Sequence, residues 1–250
     1  ATNGQSANPM LLSSGGSNYG LCACPEGQDE EDGACYWDNL ACDGQDGGYA
    51  ATMRLRTNAE SIDGDSEGLF SISANTALVA SGGHALDTGG SGASITLDAN
   101  HTDDADVGTA SHVIGATFIT DGGFVLRDPI FTSDGAAGAS QAIRIWLNAK
   151  ATVSATLSSR GGTGKDTDGG TGHSVVLRTD CGQVDVTTCT PDAAAASAAS
   201  LTFSGMMNAS GGASLGGNAA AAGNIKLSAS AHLNITQEAE IIANGGTRYS

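Results

Sequence analysis

Leu78-Val79-Ala80-Ser81-Gly82-Gly83, Phe118-Ile119-Thr120-Asp121-Gly122-Gly123 and Ile241-Ile242-Ala243-Asn244-Gly245-Gly246 are three copies of one six-residue phrase. Looser copies, each with one more residue before the Gly pair, occupy Thr156–Gly162 and Met206–Gly212. The Gly pairs recur every 34 to 50 residues, too irregularly for a strict tandem unit. Such spacing suits a chain that stacks similar turns and takes up insertions in loops. The paired glycines are expected to turn the chain sharply at a corner by adopting positive φ.

Short alternating segments follow the Gly pairs. Met53-Arg54-Leu55-Arg56-Thr57 is the first, and Ile95-Thr96-Leu97, Ile143-Arg144-Ile145, Val175-Val176-Leu177 and Ile225-Lys226-Leu227 repeat it. Period two marks strands with one buried face, so Ile, Leu and Val point inward while Arg, Thr and Lys point outward. A second alternating run, such as Leu233-Asn234-Ile235, precedes the next Gly pair. Strands this short are not stable alone and need a like strand above and below. Insertions such as 103–112 and 124–140 are expected to leave the stack at one corner. The fold class is therefore all-β, a parallel β-helix or β-solenoid. Residues 49–250 form the solenoid, and 1–48 form a loop-rich, acidic amino-terminal cap or strap.

Composition agrees with a narrow interior. The chain has 37 Gly but only five Phe, four Tyr and two Trp, too few large side chains for a thick core. Its formal charge is −17, from 27 acidic and ten basic residues, which argues against nucleic acid as a partner. No apolar run approaches the roughly 20 residues of a membrane span. The chain starts at Ala, as a secreted protein does after its signal peptide is removed.

Six cysteines point to disulfides in an oxidising compartment. Cys181 is expected to pair with Cys189, while Cys22, Cys24, Cys35 and Cys42 pair among themselves in one of three ways. Asp63-Gly64-Asp65-Ser66-Glu67-Gly68 places carboxylates at positions one, three and five and Gly at six, like the front of a calcium loop. Position twelve carries Ala74 instead of the bidentate Glu, so the phrase is either a calcium site held by Asp63, Asp65 and Glu67 or a solvated acidic turn. Asp166-Thr167-Asp168 and Asp103-Asp104-Ala105-Asp106 are weaker versions. Calcium is the one cofactor the sequence offers. His84, His101, His112, His173 and His232 show no metal spacing and are expected in surface loops. Asp98 and Asp180, with Arg54, Arg144 and Arg178, are the only side chains the pattern could line up for catalysis, and plain cross-strand pairing explains them as well.

The last repeat carries a family resemblance. Gly223-Asn224-Ile225-Lys226-Leu227-Ser228-Ala229, then Leu233-Asn234-Ile235 and Ile241–Gly246, is similar to a coil of the filamentous haemagglutinin type. That resemblance implies a right-handed parallel β-helix of a secreted bacterial adhesin. Combined with the short tail after Gly246, the sequence leads to an expected role outside the cell or at its surface. The role is that of a structural subunit, not an enzyme, polymerising with itself head to tail into a filament or layer. The alternatives are a monomeric adhesin for surface glycans and a polysaccharide-degrading β-helix enzyme.

Overall fold

The structure is a computed structural model, and it describes residues 10–16, 46–59, 69–101, 111–126, 136–147, 150–179 and 200–249. Among these residues there are strands and turns but no helix, and hence no helix long and apolar enough to cross a membrane.

The strands are β1 (Met10–Leu12), β2 (Met53–Ala59), β3 (Ser71–Ile72), β4 (Ala77–Val79), β5 (Ile95–His101), β6 (Ser111–Ile114), β7 (Thr117–Ile119), β8 (Val125–Leu126), β9 (Ile143–Trp146) and β10 (Lys150–Val153). They continue as β11 (Thr156–Ser158), β12 (Gly164–Lys165), β13 (Val175–Arg178), β14 (Leu201–Phe203), β15 (Met206–Asn208), β16 (Ser214–Leu215), β17 (Ile225–Ser228), β18 (Leu233–Ile235), β19 (Glu240–Ile242) and β20 (Arg248–Tyr249). They form four parallel sheets. S1 has the order β2-β5-β9-β13-β17, S2 β3-β6-β10-β14-β18, S3 β1-β4-β7-β11-β15-β19, and S4 β8-β12-β16-β20. The chain visits S1, S2, S3 and S4 in that sequence and then returns to S1, one such passage being a circuit. This architecture is compatible with a parallel β-solenoid.

Register explains the repeated phrase. Leu11, Leu78, Phe118, Leu157, Met207 and Ile241 are partners across successive S3 strands and form one inward row. In S1 the inward rows are Met53-Ile95-Ile143-Val175-Ile225 and Leu55-Leu97-Ile145-Leu177-Leu227. Rows of like apolar side chains stacked at the ~4.8 Å strand spacing make the narrow core that the composition demands.

The paired glycines serve close approach, and the expected positive φ is not what they supply. The only described residues with positive φ are Asp166 at 59° and Gly216 at 101°. Both follow S4 strands, where the chain bends back. The Gly pairs instead build a backbone column through the waist between S4 and the other three sheets. Gly48 donates to Gly16, Gly83 to Gly48, Gly90 to Gly83, Gly123 to Gly90, Gly138 to Gly123, Gly162 to Gly138, Gly170 to Gly162 and Gly212 to Gly170, at 2.8–2.9 Å. Each circuit thus crosses the waist twice, and each crossing lies against the next. A Cβ on Gly82 would meet the Gly90 oxygen at 1.7 Å, and one on Gly123 the Gly83 oxygen at 1.9 Å. No side chain fits there.

Most of the expected insertion 103–112, and residues 127–135 of the expected insertion 124–140, lie outside the described residues. Within residues 1–48, β1 joins S3, and Gly15-Gly16 and Gly47-Gly48 join the glycine column.

Candidate functional site

The described stack has two open ends, and both expose core positions. In the S3 inward row, Leu78, Phe118, Leu157 and Met207 are fully buried. At the two ends of the same row, Leu11 is 50% exposed and Ile241 43% exposed. The last circuit repeats the pattern in S2. Leu233 and Ile235 are 44% and 47% exposed, although their partners Leu201 and Phe203 are fully buried. Nothing in the chemistry of these side chains differs from their buried counterparts. They are exposed because no described strand lies beyond them. Among the described residues, β17, β18, β19 and β20 each have one hydrogen-bonded strand neighbour, as do β1, β2 and β3.

The outer face of S1 gathers the charged side chains that the alternation places outward. Asp98 on β5 is 1% exposed and accepts on Oδ2 from Arg54 Nη2 at 3.1 Å and from Arg56 Nε and Nη2 at 2.9 and 2.8 Å. Both arginines come from β2, directly alongside in register for Arg56. The other carboxylate oxygen, Oδ1, is buried without a hydrogen-bond partner. So is the indole Nε1 of Trp146, the register partner of Asp98 on β9. Of the sequence-derived catalytic group, then, Asp98 and Arg54 meet as a cross-strand ion pair, while Asp180 lies outside the described residues. Arg144 and Arg178 stand on the same face, on β9 and β13. Arg56 joins the cluster through its position beside Asp98, a contact that the period-two pattern of β2 already contained.

A second ion pair lies at the edge of S3. Asp121 accepts from Arg160 Nε and Nη2 at 3.2 and 3.0 Å, from the Arg160 backbone N–H at 2.8 Å and from Ser158 Oγ at 2.7 Å. Its oxygens are occupied in fixing the start of the waist crossing. The buried hydroxyls of Ser140 and Ser159 are likewise spent within the fold. Ser159 donates to the Gln141 carbonyl at 2.8 Å, and Ser140 to the Ser159 carbonyl at 3.0 Å. Ser159 Oγ also bonds Ser140 Oγ at 3.1 Å, so these contacts tie the two waist crossings together.

His112 is a core residue, contrary to the expected surface loop. It occupies an inward position of β6 in register with Ala151, is fully buried, and accepts the Phe70 N–H on Nδ1 at 3.1 Å. A small neighbour in the row leaves room for the ring, and the backbone donor satisfies its nitrogen. His84 stacks on Phe124 with ring centroids 3.8 Å apart and accepts the Phe124 N–H. Desolvation there lowers its pKa from the ordinary value.

Asp63, Asp65 and Glu67, the candidate calcium ligands, lie outside the described residues. So do all six cysteines and 103–106. Asp168 is described, and its Oδ1 accepts the Asn218 N–H of the next circuit at 2.7 Å. Among the described residues, no three His, Cys, Asp or Glu side chains converge as metal ligands. Compared with known proteins, the chain matches no protein family, no curated protein and no solved structure.

Proposed function

We propose that the chain is an extracellular structural protein whose four sheets close into a β-solenoid and are extended, head to tail, by further copies into a filament or surface layer. The S3 inward row carries this reading: fully buried through four circuits, it ends in Leu11 at 50% and Ile241 at 43% exposure. All pairings are parallel, so the two free edges of each sheet are different and complementary. A strand edge with unpaired N–H and C=O groups accepts another strand of the same direction. A junction between unlike ends is heterologous and leaves a new open end after each addition, which gives a fibre. The expected partner is a second copy because its apolar rows have the spacing that the first copy already uses.

Size-exclusion chromatography over a concentration series, followed by negative-stain microscopy, tests this. The wild type should grow into rods as concentration rises. Ile235→Lys combined with Ile241→Lys should remain monomeric, since both positions are exposed in a single copy and covered only at a junction. A wild type that stays monomeric at high concentration would remove the proposal.

A further inference from the structure

We propose that Asn244-Gly245 is a site of spontaneous deamidation that reacts only while the carboxy-terminal end of the stack is uncovered. The protection rests on the head-to-tail reading, whereas the reactivity rests on the geometry of a single copy. The chain has two Asn-Gly steps, Asn3-Gly4 and Asn244-Gly245, and only the second lies among the described residues. In such a step the backbone nitrogen of the glycine attacks the carbonyl carbon of the Asn side chain. A succinimide ring closes and ammonia leaves. Water then opens the ring at either carbonyl, giving aspartate or, with the main chain rerouted through the former side chain, isoaspartate. The reaction needs a glycine N–H that no acceptor holds, a side chain free to approach it, and no Cβ in the way.

The hydrogen bonds at the start of the waist leave these conditions to the last circuit. Gly15 donates to the Ser81 carbonyl, Gly82 to Asp121, Gly122 to Arg160, Gly161 to Ser210 and Gly211 to Asn244, each at 2.9–3.0 Å. In every case the first glycine of a pair bonds the carbonyl just before the pair of the next circuit. Gly245 is next in this series, and no described residue accepts its N–H. Asn244 and Gly245 are both exposed, and a Cβ on Gly245 would meet nothing closer than the Ala220 oxygen at 3.8 Å. The Asn244 backbone is fixed on the preceding circuit, its N–H donating to Ser210 Oγ at 3.3 Å and its carbonyl accepting from Gly211. Asp121, at the same place in an interior circuit, shows what covering does. Its Oδ1 accepts the Arg160 N–H of the next circuit, and the Gly122 N–H is bonded. The series also has an acceptor to spare at its other end, since no described residue donates to the Ser14 carbonyl. In a head-to-tail stack the Gly245 N–H therefore meets the Ser14 carbonyl of the next copy, which takes the nucleophile away. Uncovered ends age, and covered ones do not.

Peptide-resolved mass spectrometry of the full chain, held dilute at mildly alkaline pH and sampled over days, tests the site. Labelling by an isoaspartyl methyltransferase is the second readout. Asn244 should convert, while Asn208 and Asn224, which precede Ala209 and Ile225, should stay intact. Gly245→Ala should slow the conversion about tenfold, because the added Cβ hinders ring closure. Circular dichroism reports the folding of this variant. If it misfolds, Asn244→Gln, whose longer side chain closes the ring far more slowly, should abolish the isoaspartyl label at this peptide. At concentrations where microscopy shows rods, conversion of Asn244 should fall to the share of copies at rod ends. Wild-type Asn244 that stays intact as long as Asn208 overturns the proposal. Equal conversion in dilute protein and in rods overturns the protection and leaves the filament standing. If no rods form, the head-to-tail reading and the protection fall together, and conversion in dilute protein still decides the site.

Discussion

Neighbouring glycines in the last repeat have opposite tolerances, and the difference lies in one oxygen atom. A Cβ on Gly246 would stand 1.9 Å from the Gly212 carbonyl oxygen, whereas one on Gly245 would find only the Ala220 oxygen, at 3.8 Å. Neither residue has positive φ, so backbone conformation does not separate them. Gly245→Ala should therefore be neutral or stabilise by about 0.5 kcal/mol, through loss of unfolded-state freedom. Gly246→Ala should destabilise by about 2–3 kcal/mol, because a backbone oxygen cannot move aside as a side chain can. Thermal melting of the two variants checks this at roughly 2–4 °C per kcal/mol. Equal melting temperatures would mean that the column does not continue to Gly246. Ala220 marks the tolerance from the other side. It stands where earlier circuits have Gly90, Gly138 and Gly170, and its bond to the Gly212 oxygen lengthens to 3.2 Å.

Strands were legible to the extent that their side chains alternate. Ile225–Ser228 and Leu233–Ile235 stand where the alternation places them, and Ile95, Ile143 and Val175 open their strands as expected. S4 was hidden because its strands have two residues each and its inward row is Val125, Gly164 and Ser214, which shows no hydrophobic period. The glycine column was hidden for another reason. A Gly pair specifies the absence of a side chain, and only the neighbouring circuit reveals whether that absence serves a turn or a contact. His112 escaped because a single polar residue in an inward position looks like a loop residue until its backbone donor, Phe70, is in place. The inward rows also make a comparison at the scale of the strand. Phe203 and Ile235 share a row, fully buried and 47% exposed respectively. In monomeric protein, Phe203→Ala should cost about 3–5 kcal/mol. Ile235→Ala should cost about 1 kcal/mol, since half of its surface is already in water. Urea titrations at low protein concentration measure both. A similar cost at the two positions would show that Ile235 is covered in the monomer, and the open end would then be lost as an interface.

At the scale of the whole molecule, stability should run along the stack instead of being shared evenly. Each circuit contacts only the circuits before and after it, so its opening free energy is the sum of two junctions in the middle and one at an end. The core follows the same gradient. Ile95, Ile143 and Val175 are fully buried, while Met53 and Ile225, at the ends of the same row, are only partly buried. Hydrogen exchange of the monomer should therefore be slowest for the S1 amides of β9, slower than β17 by orders of magnitude, because terminal circuits open locally while central ones require sub-global opening. The open edge of β17 has a second consequence. If copies add there, amides in β17, β18 and β19 should gain protection when the protein concentration is raised, and those of β9 should not change. Uniform protection along the stack would indicate a single cooperative unit and contradict this picture. Protection of the last circuit that is independent of concentration would show that its exposed apolar row is covered within one copy.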